Sequence, residues 1–303
     1  MDEGGAAAGA DGAAAGRFSA VPGTLYVVAT PLGNLRDLTL RAIDVLGSAD
    51  VIAAEDTRVT GVLLRHFGIA TRPVSLHEHN EAARAEGIVR ELRAGKSVAL
   101  VSDAGTPAIS DPGARLVRAV RAAGCPVVPV PGACAAIAAV SAAGLVADRL
   151  LFLGFLPTAA KARRELLASV ARLSAALVIY EAPHRVRATV AALATALPGE
   201  RSLVVAREIT KKFETIAQMT LAEASAWFEA DPNRERGEFV LLVDAPGAPA
   251  AASVEAHLDV ERLLGALVVE LPPARAARVA AAVTGLPRDA LYAQALAMKP
   301  ASR

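Results

Sequence analysis

Short apolar runs alternate with amphipathic stretches in the first half of the chain, and this alternation predicts an α/β fold. Strand-like apolar runs occupy residues 25–29, 51–54, 98–101 and 127–130. Between them, apolar residues such as those at positions 85, 88, 89 and 92 recur at the spacing of a helix with one buried face. Strands that are apolar along their whole length and are separated by helices indicate a parallel sheet covered on both faces.

A second set of strand and helix patterns begins near residue 150. Predicted strands cover residues 151–155, 176–180, 202–207, 213–217 and 238–243, and predicted helices cover 161–172, 184–196 and 221–230. Because two of these strands are close together in the chain around residues 207–213, we expect antiparallel pairing there. The sequence therefore predicts two α/β domains, at residues 21–149 and 150–245.

The two ends of the chain differ in composition from the α/β region. Residues 1–20 are rich in glycine and alanine, and we expect them to form a disordered tail. Residues 245–253 (APGAPAAAS) are typical of a linker. The pattern of residues 254–303 predicts two or three short helices in a small helical domain. Pro272-Pro273 and a turn at 285–287 separate these helices, and the spacing resembles a helix-turn-helix. A simple helical cap fits the same pattern equally well.

Composition narrows the class of protein. The 303 residues carry a net charge of +1, which argues against a uniformly basic nucleic-acid coat but leaves room for local basic patches. At 53% hydrophobic residues, the chain can bury a substantial core. Two cysteines, Cys125 and Cys134, exclude a disulfide framework and a four-thiolate metal site, and they fit a reducing cytoplasm. Prolines and glycines interrupt the uncharged run 122–147, so we expect a cytoplasmic protein with no membrane span.

Loops rich in glycine and proline follow three of the predicted strands. They are residues 30–35 (TPLGNL), 102–113 (SDAGTPAISDPG) and 131–136 (PGACAA). Glycine lets a backbone approach a ligand closely, and helix N-termini offer N–H groups to acceptors. Since ligands of open α/β sheets bind beyond the carboxyl ends of the strands, we expect these loops to share one crevice.

The sequence lacks the common nucleotide-binding and metal-binding signatures at the places where they would be expected. Residues 30–35 lack the G-x-G-x-x-G pattern, and Gly95-Lys96-Ser97, which ends like a P-loop, precedes a strand instead of following one. His77 and His79 have no obvious third ligand nearby, so we expect no metal site. Ordinary turn chemistry remains the alternative for each loop taken alone.

An ordered series of motifs adds a family resemblance. The motifs are TPLGNL at 30–35, AAEDTR at 53–58, HEHN at 77–80, VSDAGTP at 101–107, PG at 131–132, GFLP at 154–157, YEAPHR at 180–185, ARE and TK within 206–211, and GE at 237–238. Together they resemble the bacterial ribosomal RNA small subunit methyltransferase I family, within the tetrapyrrole-methylase superfamily. The helical tail resembles the C-terminal helix-turn-helix of that family. Ala133 is a mild departure, since relatives can carry proline there.

The resemblance implies a fold, a cofactor and a reaction. The implied fold has two α/β domains of tetrapyrrole-methylase type with the cofactor cleft between them, in a homodimer. The implied reaction is methyl transfer from S-adenosylmethionine to the ribose 2′-hydroxyl of a cytidine in the decoding region of 16S rRNA, without a metal. By position, the expected cofactor contacts are Leu32, Asp103, Thr106, Ile109, Cys134, Ala135, Tyr180 and Gly237.

The catalytic and RNA-binding residues are hypotheses drawn from position and charge. An in-line displacement depends on alignment of the 2′-oxygen, and a base or a nearby cation helps a weakly acidic hydroxyl to react. Glu208 and Lys211 follow a predicted strand and bracket a polar turn, so we expect them to activate that oxygen. The expected RNA contacts are Arg58, His79, His184, Arg185 and Lys212. A structural salt bridge or helix cap is the alternative for each of these residues.

Two other functions stay open on the sequence alone. A small-molecule methylase of the tetrapyrrole type would share the fold, but it would not need the basic spots and the helical tail. A non-catalytic RNA-binding assembly factor would keep the cleft and lack turnover. With aromatic residues at only 4%, we do not expect extensive base stacking, so RNA recognition should depend on shape, phosphates and an exposed nucleotide.

Overall fold

A computed structural model describes residues 18–77, 80–246 and 260–298 of the chain. The chain divides into two compact units, Met1–Pro246 and Gly247–Arg303. Most of the expected N-terminal tail and of the linker lies outside the described residues. Residues 18–20 lie against the first helix, where the Phe18 N–H donates to Asp44 and the Ala20 N–H donates to Ser48. Within the described ranges, no helix is both long enough and apolar enough to cross a membrane.

Five parallel strands form the first sheet of the larger unit. They are β1 (Leu25–Val28), β2 (Val51–Ala54), β3 (Pro73–Ser75), β4 (Val98–Val101) and β5 (Val127–Val130), in the order β3-β2-β4-β1-β5. The helices that alternate with them are α1 (Leu40–Ser48), α2 (Thr57–His66), α3 (Glu81–Arg93), α4 (Ala114–Ala122) and α5 (Ala135–Ala142). Alternate strand residues enter two cores, because Tyr26 and Ile52 pack with α1 and α2, whereas Leu25 and Leu100 pack with α3 and α4. The predicted parallel sheet with two covered faces is confirmed.

The second sheet is mixed, and its strand order departs from chain order. It contains β6 (Leu150–Phe155), β7 (Ala176–Glu181), β8 (Ser202–Arg207), β9 (Thr215–Thr220) and β10 (Phe239–Val243), in the order β6-β7-β10-β8-β9. Strands β6 and β7 are parallel, and β10 is antiparallel to both β7 and β8. Strands β8 and β9 form the antiparallel pair predicted around residues 207–213. Helices α6 (Ala160–Val170), α7 (Val186–Ala196) and α8 (Leu221–Glu229) cover one face of this sheet.

Helix α5 covers the other face of the second sheet and thereby joins the two halves of the larger unit. Its Ala136 and Ala139 pack with Val178, Val204 and Leu242, which come from three different strands. Small apolar residues suit this helix because they let its backbone lie close to the sheet, and Ala136 and Ala139 are buried there. Since α5 begins directly after β5, the carboxyl edge of the first sheet is brought against the second sheet.

The smaller unit contains three helices in its described part. They are α9 (Val260–Glu270), α10 (Pro273–Thr284) and α11 (Arg288–Ala297). Leu264, Ala277 and Leu291, one from each helix, belong to a separate small core. Gly285 ends α10 in a left-handed conformation (φ 69°), and Pro287 precedes α11. The turn at 285–287 therefore lies where the sequence predicted it.

A buried carboxylate connects α3 to the loop after β4. Glu81 is 5% exposed, and its Oε1 accepts the backbone N–H groups of Gly113 at 3.1 Å and Leu116 at 3.0 Å, at the start of α4. The first N–H groups of a helix have no partner within that helix, and the helix dipole favours negative charge at this end. Glu81 therefore fixes the end of the 102–113 loop.

Replacement of this carboxylate should destabilise the larger unit. We expect Glu81→Ala to lower the free energy of unfolding by about 2–3 kcal/mol, because two buried donors lose their acceptor. Glu81→Gln should cost about half of that, because it keeps an oxygen acceptor. Urea unfolding of the full chain measures both changes. Glu86→Ala, at an exposed position of the same helix, is the matched control and should change stability by less than about 0.5 kcal/mol. Equal losses in the three variants would contradict the capping role.

Candidate active site

A cleft of about 360 Å³ opens between the carboxyl edge of the first sheet and the second sheet. The first half lines it with Leu32, Glu55, Asp103, Ala104, Gly105, Thr106, Ile109, Ser110, Asp111, Cys134 and Ala135. The second half lines it with Phe155, Tyr180, Glu181, Ala182, Pro183, Ile209, Lys211, Glu238, Phe239 and Val240. The cleft therefore lies where the sequence predicted that the three glycine- and proline-bearing loops meet.

Most of the expected cofactor contacts lie on these walls. Those that line the cleft are Leu32, Asp103, Thr106, Ile109, Cys134, Ala135 and Tyr180. Gly237 is not among the lining residues, although its neighbour Glu238 is. A cofactor contact at each of these positions stays a prediction.

Hydrogen bonds hold the three loops together. Thr30 and Gly105 exchange two backbone hydrogen bonds, of 2.8 and 3.0 Å, which join the loops after β1 and β4. The Thr106 hydroxyl donates to the Ala133 carbonyl at 2.9 Å, which joins the loops after β4 and β5. A Cβ on Gly105 would lie only 3.1 Å from the side chain of Leu32, so glycine permits the close approach of these loops. The three loops therefore form one connected wall of the cleft.

The non-glycine residues with a positive φ in the described chain lie in two loops at the cleft. Ala108 and Ser110 (both 66°) belong to the loop after β4, and Glu208 (52°) and Thr210 (67°) belong to the loop after β8. A left-handed backbone costs an L-residue roughly 1–2 kcal/mol. Such conformations persist where surrounding contacts impose them, which is typical of ligand-binding segments.

Three carboxylates give the first-half wall a negative charge. The Asp56 N–H donates to Asp103 Oδ1 at 3.0 Å, and the Asp103 N–H donates to Glu55 Oε2 at 3.4 Å. Burial, followed by the nearby charge of Glu55, raises the pKa of Asp111 to about 6, and burial also raises the pKa of Glu55. In the described part of the chain, no group of three or more His, Cys, Asp or Glu side chains is placed to hold a metal ion. At neutral pH this wall is anionic and suits a cationic ligand.

The second half contributes an aromatic wall. Phe152 and Phe155 of β6 make edge-to-face contacts with Tyr180 of β7, at 5.0 and 5.8 Å between ring centroids. The Tyr180 hydroxyl accepts the Ala136 N–H at 3.0 Å, at the start of α5. Burial raises the pKa of Tyr180 well above its usual range, so its hydroxyl stays neutral. Tyr180 thus fastens the second sheet to α5 while it lines the cleft.

The Lys211 ammonium lies between two carboxylates. Its Nζ donates to Glu208 Oε1 at 2.9 Å and to Glu238 Oε2 at 2.7 Å. Although burial disfavours the charged form, these two hydrogen bonds raise the pKa of Lys211. Burial also opposes ionisation of Glu208, but the Glu238 N–H and the Lys211 ammonium lower the pKa of that carboxyl. Lys211 and Glu208 are therefore both charged at neutral pH.

Two glycines make room for this ion pair. A Cβ on Gly33 would lie 2.5 Å from Cγ of Lys211, and a Cβ on Gly237 would overlap Cγ of Glu208. Interiors are packed to van der Waals contact, so neither position accepts a side chain unless the ion pair moves. The TPLGNL loop of the first half and the GE turn of the second half thus both position Lys211.

The expected RNA contacts differ in how freely they face solvent. Arg58, His184 and Lys212 are exposed, whereas His79 lies outside the described residues. The guanidinium of Arg58 pairs with Asp56 at 2.6 Å, which offsets part of its charge.

Arg185 is used within the protein. Its Nε lies 3.2 Å from the fully buried carboxylate of Glu181, and its guanidinium also donates to the Leu156 carbonyl. Its side chain is only 18% exposed. Little of the hydrogen-bonding capacity of Arg185 is left for a partner, and its contact with RNA stays a prediction.

Three residues with a role at the site were not predicted from the sequence. Phe155 and Glu238 line the cleft, and Arg207 donates to the carbonyls of Asn233 and Arg236, which fixes the turn before β10. Phe155 lies in the GFLP motif, Glu238 in the GE motif and Arg207 in the ARE motif, so membership in a motif was the available signal. Spacing within a motif does not indicate which member faces the ligand.

Comparison with protein-family models assigns both units of the chain. Residues 24–225 match the model for tetrapyrrole (corrin/porphyrin) methylases. Residues 254–299 match the model for the RsmI C-terminal HTH domain.

Similar proteins agree with these models. A ribosomal RNA small subunit methyltransferase I from Vibrio cholerae serotype O1 is 50% identical over 268 residues, covering 88% of this chain and 92% of the relative. The protein of that name from Pseudomonas aeruginosa is 49% identical over 277 residues, covering 90% and 97%. A solved uroporphyrin-III C-methyl transferase from Thermus thermophilus, complexed with S-adenyl homocysteine, shares the fold at a TM-score of 0.51 and 18% identity, covering 73% of this chain and 97% of that one. The chain belongs to the ribosomal RNA small subunit methyltransferase I family of tetrapyrrole methylases.

Proposed function

We propose that this chain binds S-adenosylmethionine in the cleft and methylates the ribose 2′-hydroxyl of a cytidine in the decoding region of 16S rRNA. Its relatives are methyltransferases of small-subunit ribosomal RNA. The observation that carries the proposal is the charged Lys211, fixed beside a cleft whose walls suit a cationic nucleoside. A homodimer in the cytoplasm stays part of the prediction.

The walls of the cleft fit the chemistry of S-adenosylmethionine. This compound combines a flat adenine with a positively charged sulfonium and an amino-acid head. The small side chains of Cys134 and Ala135 and the Tyr180 ring suit the adenosine, and the carboxylates of Asp103 and Asp111 suit the positive charge. The cleft volume of about 360 Å³ falls within the usual range for ligand pockets. A fold relative, the uroporphyrin-III C-methyl transferase, was solved with S-adenyl homocysteine, the compound that remains when S-adenosylmethionine loses its methyl group, and this supports S-adenosylmethionine as the ligand.

The residues beside the cleft have separate roles in the proposed reaction. Bound S-adenosylmethionine supplies an electrophilic methyl carbon. Lys211 is protonated and cannot accept a proton, so its ammonium donates to the ribose 2′-oxygen and stabilises the negative charge that develops there. Glu208, whose pKa is lowered, is a poor base and instead holds the ammonium in place. Activation of the oxygen is therefore an electrostatic effect of Lys211, positioned by Glu208 and Glu238. The 2′-oxygen forms its bond to the methyl carbon as the C–S bond breaks, which leaves a neutral thioether, and the hydroxyl proton passes to solvent water.

Loss of this positive charge should remove most of the turnover. We expect Lys211→Met to lower kcat on small ribosomal subunits by at least about 100-fold, because the developing oxyanion loses its partner. The Kd for S-adenosylmethionine, measured by isothermal titration, should change by less than about threefold.

In cells without the gene, one decoding-region cytidine should lose its 2′-O-methyl mark. The wild-type gene should restore the mark, whereas the gene for Lys211→Met should not.

The matched control is Lys161→Ala. Lys161 lies on α6 with its side chain 83% exposed, so its loss should leave kcat unchanged. Full turnover by Lys211→Met would remove Lys211 from the mechanism. A complete set of cytidine marks in cells without the gene would refute the proposed substrate.

Filling the space at Gly33 should displace Lys211 without unfolding the chain. Gly33 does not have a positive φ, so its backbone accepts alanine, and the three atoms nearest to the added Cβ all belong to Lys211. We expect Gly33→Ala to lower kcat about tenfold, which corresponds to a small misplacement of a charge-stabilising group, at an unchanged melting temperature. Gly47→Ala, where the added Cβ meets nothing within 4 Å, is the control. A normal kcat for Gly33→Ala would show that the position of Lys211 is not critical.

Donor binding should weaken as the pH falls through 6. Asp111, with a pKa of about 6, is largely ionised at neutral pH and becomes neutral below this value. A cationic donor is attracted only by the ionised form, so its affinity decreases as Asp111 takes up a proton. Glu55, whose pKa is also raised, acts in the same direction.

Isothermal titrations with S-adenosylmethionine above and below pH 6 measure this effect. Asp111→Asn should flatten the dependence, and S-adenosylhomocysteine, which lacks the sulfonium charge, should show a weaker one. A pH dependence that is identical in Asp111→Asn and the wild type would rule out Asp111 as the titrating group.

A further inference from the structure

The loop between β8 and β9 carries an exposed aromatic ring close to the proposed catalytic lysine. Phe213 is 64% exposed and follows Lys211 by two residues. A tyrosine ring contacts each of the other exposed phenylalanines, Phe18, Phe152 and Phe155. Among the described residues, no ring packs on Phe213, and the Lys212 ammonium lies 5.5 Å from its centroid. Phe213 therefore differs from every other exposed phenylalanine of the described chain.

The backbone around this ring is fixed. Arg207 Nη2 donates to the Phe213 carbonyl and to the Thr215 hydroxyl, both at 3.2 Å. The Glu214 N–H donates to the Lys211 carbonyl at 3.1 Å, which closes the turn around Phe213. The exposure of the ring is thus imposed by an organised loop and is not the result of a loose one.

We propose that Phe213 stacks on an unpaired base of the rRNA next to the methylated nucleotide, while Lys212 contacts the adjoining phosphate. This inference rests on the proposed function and names a substrate contact for the same site. Every base has a π face that stacks on an aromatic ring, and sequence-specific RNA recognition targets bases that are splayed out of the helix. Because the Lys212 ammonium lies beside the Phe213 ring, it can contact the phosphate next to a base that stacks on this ring.

The neighbours of Phe213 favour RNA over a second copy of the chain as the occupant. The residues that flank it are Lys211, Lys212 and Glu214, all of which carry charge. An interface between copies is usually depleted in charged residues at its centre, whereas contacts with nucleic acid are polar and rich in cations.

Steady-state kinetics of the full chain on small ribosomal subunits that lack the mark test the contact. Phe213→Leu should raise KM about tenfold, a loss within the range for one base–aromatic stack, and change kcat by less than about threefold. Phe213→Trp should keep KM near the wild-type value, because an indole also stacks. Phe18→Leu, which alters an exposed ring packed on Tyr26, is the matched control and should leave both constants unchanged.

Salt dependence separates the ring from its neighbouring cation. Lys212→Ala should reduce the slope of log KM against log salt concentration by about 0.7, the value for one phosphate contact with single-stranded nucleic acid. Phe213→Leu should leave this slope unchanged, because stacking releases no counterion. If the loop had only a structural role, the salt slope would not fall in Lys212→Ala while it stays unchanged in Phe213→Leu.

Fluorescence reports on the contact without any need for turnover. Trp227 is the single tryptophan of the chain. Phe213→Trp on a Trp227→Phe background therefore places the only indole on this loop. An RNA hairpin with the decoding-region sequence should quench its fluorescence, whereas a fully paired duplex of the same length should not.

Three results would overturn the inference. They are a wild-type KM for Phe213→Leu, equally raised KM values for the leucine and tryptophan variants, and fluorescence that the hairpin does not quench. Conversion of a dimer to a monomer by Phe213→Leu in sedimentation would also overturn it and would assign the ring to a contact between copies. If the wild type leaves every 16S cytidine unmethylated, the proposed function fails separately, and the fluorescence titration still decides the RNA contact.

Discussion

A single ammonium group shared by two carboxylates determines where charge is placed beside the cleft. The side chains of Lys211 and Glu208 are 28% and 19% exposed, and a pair this buried adds little net stability because desolvation offsets much of the attraction. Its geometric requirements are nevertheless strict, since Gly33 and Gly237 must both lack a side chain for the pair to fit. The arrangement is better explained by a need to place one positive charge than by a need for stability.

The strained backbone of the described chain also lies beside the cleft. The loop after β8, which carries Lys211, and the loop after β4, which lies on the opposite wall, contain the positive-φ residues other than glycine in the described chain. Each loop is held by one charged side chain that donates to or accepts from several backbone groups. Glu81 accepts two N–H groups at the end of the 102–113 loop, and Arg207 donates to the Phe213 carbonyl and to the turn before β10. The shape of the cleft thus depends on Glu81 and Arg207, which do not themselves line it.

Hydrophobic periodicity predicted most of the strands but not their order in either sheet. In the first half, apolar runs predicted β1, β2, β4 and β5 and a covered parallel sheet, but not the short β3. The first sheet places β1 between β4 and β5, and the second inserts β10 between β7 and β8, and no local pattern encodes these long-range pairings. The site shows the same division. The glycine-rich loops were predictable from their place after strands, but the internal use of Arg185 was not, because a charge in a motif does not reveal its partner.

The charges of the cleft restrict how an RNA strand approaches it. Glu55, Asp103 and Asp111 line the first-half wall and repel phosphate. Lys211 lines the cleft as well, but two carboxylates already share its charge, whereas Lys212 is exposed and pairs with no carboxylate in the described part of the chain. For the proposed reaction we therefore expect a nucleotide to present its ribose to the cleft and to keep its phosphates at the rim. A protein with a net charge of +1 can act on a polyanion in this way, because positive charge is needed only at the rim and negative charge inside favours the cationic donor.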